Sequence, residues 1–268
     1  MVSWAVTGAT RGIGLGFVQN LSADSQNQVF AIIRSLATAG PLKELATERK
    51  NIHIVVTELS DPEKLKLAAA EVSKATGGSL DVLILNAGSA GPETSALPPS
   101  AFHGKEEALE KEIGENINNN IISNIYVINS FLDLIRNGTE KKIAFVSSQS
   151  GDLEFTRITG FSFVMGYSIA KAGMNIVMTK FGAELAHEGI KTISLSPGWV
   201  NTDAAKAVTG DPAVRKIMLD LFHKLDPDVS GPIEVDESVS SQLKLIKELT
   251  AENSGKFLTH HGDTSTWF

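Results

Sequence analysis

The 268-residue chain contains no cysteine. That excludes disulfides, thiolate zinc sites, iron–sulfur clusters and a cysteine nucleophile, and it suits a reducing, cytoplasmic address. There is no basic run, and the formal charge of −7 is acidic overall, so neither a phosphate-tracking nucleic-acid surface nor an anionic-membrane patch is expected. No apolar span approaches the length of a bilayer crossing, and the opening "VSWAVTG" carries no charged leader or small-residue cleavage site; the reading is a soluble, unprocessed protein with no membrane partner. Without a secretory signal, Asn137-Gly138-Thr139 reads as a turn rather than a glycan acceptor. His260 and His261 are adjacent, so their side chains diverge, and no carboxylate cluster accompanies them; no metal site is expected.

What the chain does have is alternation. Short runs rich in valine and isoleucine predict strands at Val2–Thr7, Gln28–Ile33, Ile52–Thr57, Leu80–Leu85, Lys142–Ser147, Lys191–Ser196 and Lys256–Thr259. Segments of helical period lie between them at Gly12–Leu21, Pro41–Thr47, Pro62–Thr76, Lys105–Arg136, Val164–His187, Pro212–Phe222 and Val235–Leu249. This is the pattern of βαβ units on a buried parallel sheet, here of seven strands in an α/β fold. No internal repeat or linker divides residues 1–268, so one domain is expected. The proline-, glycine- and serine-rich stretch over 89–105 reads as a loop beside the sheet.

Directly after the first predicted strand comes "TGATRGIG", with Gly8, Gly12 and Gly14 ahead of a helix. Glycines there let the backbone pass close to a pyrophosphate while the helix N-terminus aims its free N–H groups at it. The turn residues Gly8, Thr10, Arg11, Gly12, Ile13 and Gly14 are therefore candidate dinucleotide contacts. The second strand ends "FAIIRSL", with Arg34 and no acid. A carboxylate at that place accepts from a ribose 2′-hydroxyl, whereas arginine pairs with a 2′-phosphate. Arg34, with Arg11 converging, favours NADP(H), NADPH in the reducing direction; the alternative is that both arginines are solvated surface residues.

Six motifs in order now resemble the short-chain dehydrogenase/reductase family over essentially the whole chain: "TGATRGIG" at 7–14, "NAG" at 86–88, an Asn-rich helix at 116–124, "VSSQSG" at 146–151, "YSIAK" at 167–171 and "PGWVNTD" at 197–203. With the ending "SGKFLTHHGDTSTWF", the chain looks most like the fungal norsolorinic acid ketoreductase group and its single-domain carbonyl reductase relatives. The resemblance implies a Rossmann-like, doubly wound parallel sheet with helices on both faces. It implies that Asn86, Ala87 and Gly88 help hold sheet and cofactor, and that Glu58 and Leu59 lie at the adenine, with glutamate where the family more often has aspartate. Pro197, Gly198, Val200 and Thr202 would line the nicotinamide, Thr202 at its carboxamide.

Reducing a ketone by hydride leaves negative charge on oxygen, so the site needs a proton donor and further donors aimed at that oxygen. Tyr167, one of only two tyrosines, can supply the proton. Free tyrosine titrates near about 10, so drawing it towards neutrality takes roughly 4 kcal/mol of preferential stabilisation of the phenolate. Lys171, at i+4 on the same helix face, is expected to favour that phenolate. By resemblance Lys171 also binds the nicotinamide ribose, Ser148 polarises the carbonyl and Asn120 seats a relay water, though Ser147, Ser150 and neighbouring asparagines compete for the last two roles. Nineteen positions separate Ser148 from Tyr167. That lengthened stretch is expected to wall a substrate pocket with Phe155, Phe161 and Phe163, unless these rings close a core or a subunit contact. Trp199 and Trp267 either line a flat pocket or fill the core, and Asp203 is expected to cap its loop.

The reading is an NADPH-dependent reductase of a small-molecule ketone or aldehyde, of aromatic or polyketide type. An NAD-dependent alcohol dehydrogenase of the same fold, or a dinucleotide-binding protein with a sensing or non-redox role, are the alternatives. A homo-oligomer, dimer or tetramer, is expected through the two long helices.

Overall fold

The computed structural model describes residues 1–89 and 96–268. Among the described residues the chain runs β1 (Val2–Thr7), α1 (Gly12–Ser22), β2 (Asn27–Ile33), α2 (Gly40–Glu48), β3 (Ile52–Val56), α3 (Pro62–Thr76) and β4 (Val82–Leu85). It continues through α4 (Glu106–Ile117), a π-helical turn (Asn118–Ile122), α5 (Ser123–Asn137), β5 (Lys142–Val146), α6 (Leu153–Thr159) and α7 (Met165–Leu185). The last elements are β6 (Lys191–Ser196), α8 (Asp203–Thr209), α9 (Pro212–Phe222), α10 (Val235–Lys247) and β7 (Lys256–Thr259). Within the loop expected over 89–105, positions 90–95 lie outside the described residues, and Pro99–Phe102 form a short 3-10 turn.

The strands form one seven-stranded sheet in the order β3-β2-β1-β4-β5-β6-β7, parallel throughout. Successive strand residues face opposite sides, and the core divides accordingly. Val6, Ala31, Ile33, Ile84, Val146 and Leu195 pack on one face with Phe17 and Leu21 of α1 and Val239 and Leu243 of α10. Ala5, Phe30, Ile32, Leu83 and Phe145 pack on the other with Leu65 of α3, Phe131 of α5 and Met174 of α7. The sheet is the doubly wound arrangement, and the strand order reverses between β1 and β4. Ligands in such sheets bind outside the carboxyl ends of the strands at that reversal.

Three differences from the sequence reading have local causes. β4 starts at Val82 instead of Leu80 because the Asp81 carboxylate accepts from the Ser3 N–H and hydroxyl, at 2.8 and 2.9 Å, while the Leu80 N–H donates to Leu134 O. The helix expected over 105–136 is interrupted by the π turn, where the Ser123 N–H reaches back five residues to Asn118 O. Two short helices were not anticipated, because seven residues show no period: α6, capped by Asp152 on the Phe155 N–H at 2.7 Å and ended by Gly160, and α8, capped by Thr202 on Ala205 N–H. Asp203, expected to cap its loop, is the first residue of α8.

Candidate active site

At the strand-order reversal, Asn86 ties the ends of β1 and β4 together. Its amide donates to Thr7 O and Gly8 O at 3.0 and 3.2 Å, and the N–H groups of Asn86 and Ala87 both donate to the Thr7 hydroxyl at 3.0 Å. Gly8 turns the chain through φ +68°, and a side chain on Gly14 would collide with the Gly8 carbonyl and the Asn86 amide. The glycines are thus fixed by close packing of turn against strand end. α1 begins at Gly12 with no side-chain cap and no acid in its first turn, which leaves Gly12, Ile13 and Gly14 at an uncapped, positive helix end suited to an anion.

The remaining cofactor candidates line the same edge. Arg11 and Arg34 follow β1 and β2, neighbouring strands; both are exposed and, among the described residues, neither forms an ion pair. Half-buried Glu58 and Leu59 follow β3, next to Thr57, whose buried hydroxyl has no partner among the described residues. Beyond β6, the Ser238 hydroxyl holds Pro197 O at 2.6 Å, and Gly198 turns at φ +84° over the His260 ring. Val200 is buried and bridged to Ile233, and Thr202 lies where a Gly12 side chain would meet it at 3.5 Å. An uncapped helix end, two free guanidinium groups and an orphan hydroxyl fit a phosphorylated dinucleotide.

Tyr167 sits in the first turn of α7, half-buried, with Ser148 near enough to act on its phenol. Ser148 Oγ lies 3.0 Å from Ser150 Oγ and accepts from the Ser150 N–H. Ser147, by contrast, is turned away to donate to Asn175 Oδ1 at 2.7 Å. Lys171 is 3% exposed; its Nζ donates to Val146 O at 2.7 Å and lies 5.3 Å from the Tyr167 ring centroid. The expected lowering of the phenol by this ammonium is not what the chain alone provides. Burial pushes Tyr167 up to about 12 against the opposing influence of Ser148, and burial pushes Lys171 down to about 7. The physical reason is lost water: burial disfavours the charged form of each group.

Asn120 is fully buried in the π turn, a feature frequent at functional sites. Its amide donates to Ser89 O at 2.9 Å, its Oδ1 accepts from the Ser89 N–H at 3.0 Å, and its backbone carbonyl accepts from Asn124 Nδ2 at 2.9 Å. A side chain at Gly88 would begin 2.8 Å from Asn120 Oδ1 and 3.7 Å from Lys171 Nζ, so the "NAG" turn, Asn120 and Lys171 converge. The sequence reading passed over Glu112 and kept Asn116 only as one of the asparagines competing with Asn120; both are fully buried, two turns and one turn before it. Their i, i+4, i+8 spacing was the available signal.

On the far side of Tyr167 the lengthened stretch folds as α6 and packs inward. Phe155 is 1% exposed, with ring centroids of Phe222, Trp267 and Phe161 at 5.9, 6.2 and 6.2 Å. It is core, not pocket wall, because Asp152 and Gly160 bend the segment back onto α9 and the C-terminal residues. Trp199 and Trp267 belong to the same cluster, though Trp199 also borders a cavity of about 240 Å³. Phe161 and Phe163 stay partly exposed, edge to face at 5.8 Å. Among the described residues no helix is long and apolar enough to cross a membrane.

A family model described as short chain dehydrogenase matches residues 4–213. A short-chain dehydrogenase/reductase from an Arthrinium species, atnB, is 50% identical over 263 residues, 98% of each chain. Another from Aspergillus aculeatus, AacuF, is 34% identical over 98% of each. The NADPH-bound carbonyl reductase from chicken fatty liver superposes with a TM-score of 0.80 at 30% identity, over 99% of this chain and 98% of that one.

Proposed function

The chain belongs to the short-chain dehydrogenase/reductase family, oxidoreductases that use a nicotinamide dinucleotide, and from that premise we propose that it is an NADPH-dependent reductase of a ketone or aldehyde carbonyl. The observation that carries this reading is the grouping of Ser148 and Lys171 about the Tyr167 phenol, with Lys171 Nζ 5.3 Å from the ring centroid. NADPH is preferred over NADH because the end of β2 offers exposed Arg34, with Arg11 beside it, and no carboxylate. The chicken carbonyl reductase, 30% identical, is NADPH-bound.

When bound, the cofactor supplies the hydride and, once oxidised, a positive charge. The chain's own groups do the rest. The α1 N-terminus at Gly12–Gly14 holds the pyrophosphate. Ser148 Oγ donates to the carbonyl oxygen and Tyr167 passes its phenolic proton to that oxygen as the alkoxide forms. A phenol held up at about 12 keeps its proton until then. Lys171, a turn away, favours the resulting phenolate, and Asn120 with Lys171 returns a proton to it through water.

The half-exposed rings of Phe161 and Phe163, just before α7, support an aromatic or polyketide-type substrate. Exposed Ile169 and Ile176 on α7, 42% and 60% accessible, support a homo-oligomer paired through α5 and α7 in the cytoplasm. The deciding assay follows NADPH and NADH consumption against aliphatic, monocyclic and polycyclic aromatic ketones. Turnover of aromatic ketones with NADPH is expected; turnover only with NADH, or binding of NADPH without turnover of any carbonyl, sinks the reading.

A further inference from the structure

α7, the helix that carries Tyr167, begins poorly. Its N-cap is Val164, a β-branched residue at φ +53°, and it has no side-chain cap and no acid in its own first turn. Left-handed backbone is costly for a branched side chain, and an uncapped helix end leaves N–H groups and a positive dipole without an answer. Another helix packs against that end. Glu112 of α4 is fully buried, and its Oε1 and its backbone carbonyl each lie 2.9 Å from where a Gly166 side chain would begin, one residue before Tyr167. Only glycine allows this approach, since Asn116 Nδ2 stands 2.8 Å from the same point.

From Glu112 a line of buried polar groups runs to Asn120. Asn116 Nδ2 donates to Glu112 O at 2.9 Å and to Glu112 Oε1 at 3.4 Å. That orientation turns Asn116 Oδ1 the other way, where it accepts from Asn120 Nδ2 at 3.2 Å. Asn120 in turn presents Oδ1 to the Ser89 N–H at 3.0 Å. Each amide has one orientation consistent with its neighbours, held at one end by the Glu112 carbonyl and Oε1 and at the other by the Ser89 backbone. Both Glu112 and Asn116 lie at 0% exposure, where an unmatched polar group is costly.

We propose that Glu112 is a positioning residue for the reduction: its carboxyl seats the first turn of α7 beneath Tyr167 and, through Asn116, fixes the Asn120 amide in the π turn. It touches neither substrate nor cofactor. The inference rests on the functional reading above, since it assigns Glu112 a task only if Tyr167 and Asn120 serve carbonyl reduction.

The test compares Asn116→Leu, Glu112→Ala and Glu112→Gln with the intact chain, using NADPH and the best ketone of the panel, with NADPH affinity measured separately. Asn116→Leu cuts the line while leaving the carboxyl at α7, and should lower kcat by about tenfold; Glu112→Ala loses both tasks and should lower it by about tenfold to a hundredfold. NADPH Kd should stay within about twofold in each, because no cofactor contact is removed. Glu112→Gln keeps an acceptor for Asn116 and should recover most of the lost kcat. Val72→Ala, a cavity in α3 away from the site, controls for stability: it should lower Tm without lowering kcat. If Asn116→Leu keeps the intact kcat, or if kcat in every variant simply follows Tm as in Val72→Ala, the inference is overturned while the functional reading stands. An intact chain that reduces no carbonyl overturns both.

Discussion

The carboxyl edge of the sheet carries two regions held together by different physics. Around β1 and β4 the parts are backbone groups and short polar side chains joined by direct hydrogen bonds: Asn86 to Thr7 and Gly8, Lys171 to Val146, Asn120 to Ser89. Beyond β6 the parts are rings, with Phe155, Phe222, Trp267 and Trp199 stacked edge and tilt against one another over α6, α9 and the final residues. In the first region a group works by being at a fixed place. In the second it works by filling volume. The difference predicts that substitutions on the polar side alter chemistry and leave folding largely intact, and that substitutions on the aromatic side do the reverse.

The largest expected effect falls on the aromatic side. Phe155→Ala removes a ring that touches four others and leaves a cavity, at a cost of about 3–5 kcal/mol. Thermal unfolding should show Tm lower by roughly ten degrees, with NADPH affinity unchanged at temperatures where the variant is folded. A loss of cofactor binding in the folded variant would break the comparison. The complementary change, Tyr167→Phe, should lower ketone reduction at least about a hundredfold, the low end for a lost general acid. Its Tm and NADPH affinity should hold, and reduction surviving at the intact rate would remove the tyrosine from the chemistry.

The two regions were also unequally legible in the sequence. On the polar side each contact joins residues whose chemistry demands a particular type at a particular spacing. Gly8 and Gly14 in one turn, and Tyr167 and Lys171 on one helix face, were therefore readable, and all seven strands could be placed. The aromatic cluster draws Phe155, Trp199, Phe222 and Trp267 from four separated segments. No spacing records that meeting, so Phe155 could be read either as pocket wall or as core. Glu112 and Asn116 fall between these cases: their helical spacing was visible, but their burial depends on how closely Gly166 lets α7 approach, which only packing reveals. Which way Tyr167 and Lys171 shift was equally hidden, because it is set by lost water and not by the two side chains' proximity.

A smaller effect tests specificity within the polar side. Arg34 follows β2 with no acid beside it in sequence and no ion pair among the described residues. If its guanidinium meets the 2′-phosphate, Arg34→Ala loses charge-assisted hydrogen bonds of about 1.5–3 kcal/mol. NADPH Kd should then rise roughly tenfold to a hundredfold while NADH Kd barely moves. Equal weakening of both cofactors would mean that Arg34 acts on something other than the 2′-phosphate.

The smallest effect concerns how the aromatic region is tied down. Asp263 follows β7, and its carboxylate accepts from the N–H groups of Ser265 and Thr266 and from the Thr259 hydroxyl, at 2.9, 2.7 and 3.1 Å. Burial alone would raise its pKa, but these bonds, chiefly with Thr266, outweigh it and hold Asp263 at about 2, below its ordinary 3.8. A carboxylate whose folded pKa is depressed adds stability that is fully present above the unfolded value and is lost as pH falls through the folded one. That window here runs from about 3.8 down to about 2. Tm followed from pH 5 to pH 2 should therefore fall less steeply for Asp263→Asn than for the intact chain, with the variant already slightly lower at neutral pH. Asp81 is also depressed, the Ser3, Thr139 and Glu140 bonds outweighing its burial, and it adds acid sensitivity to both proteins alike. The difference between the two curves thus isolates Asp263, and parallel curves would show that the rings hold the final residues in place without their polar clasp.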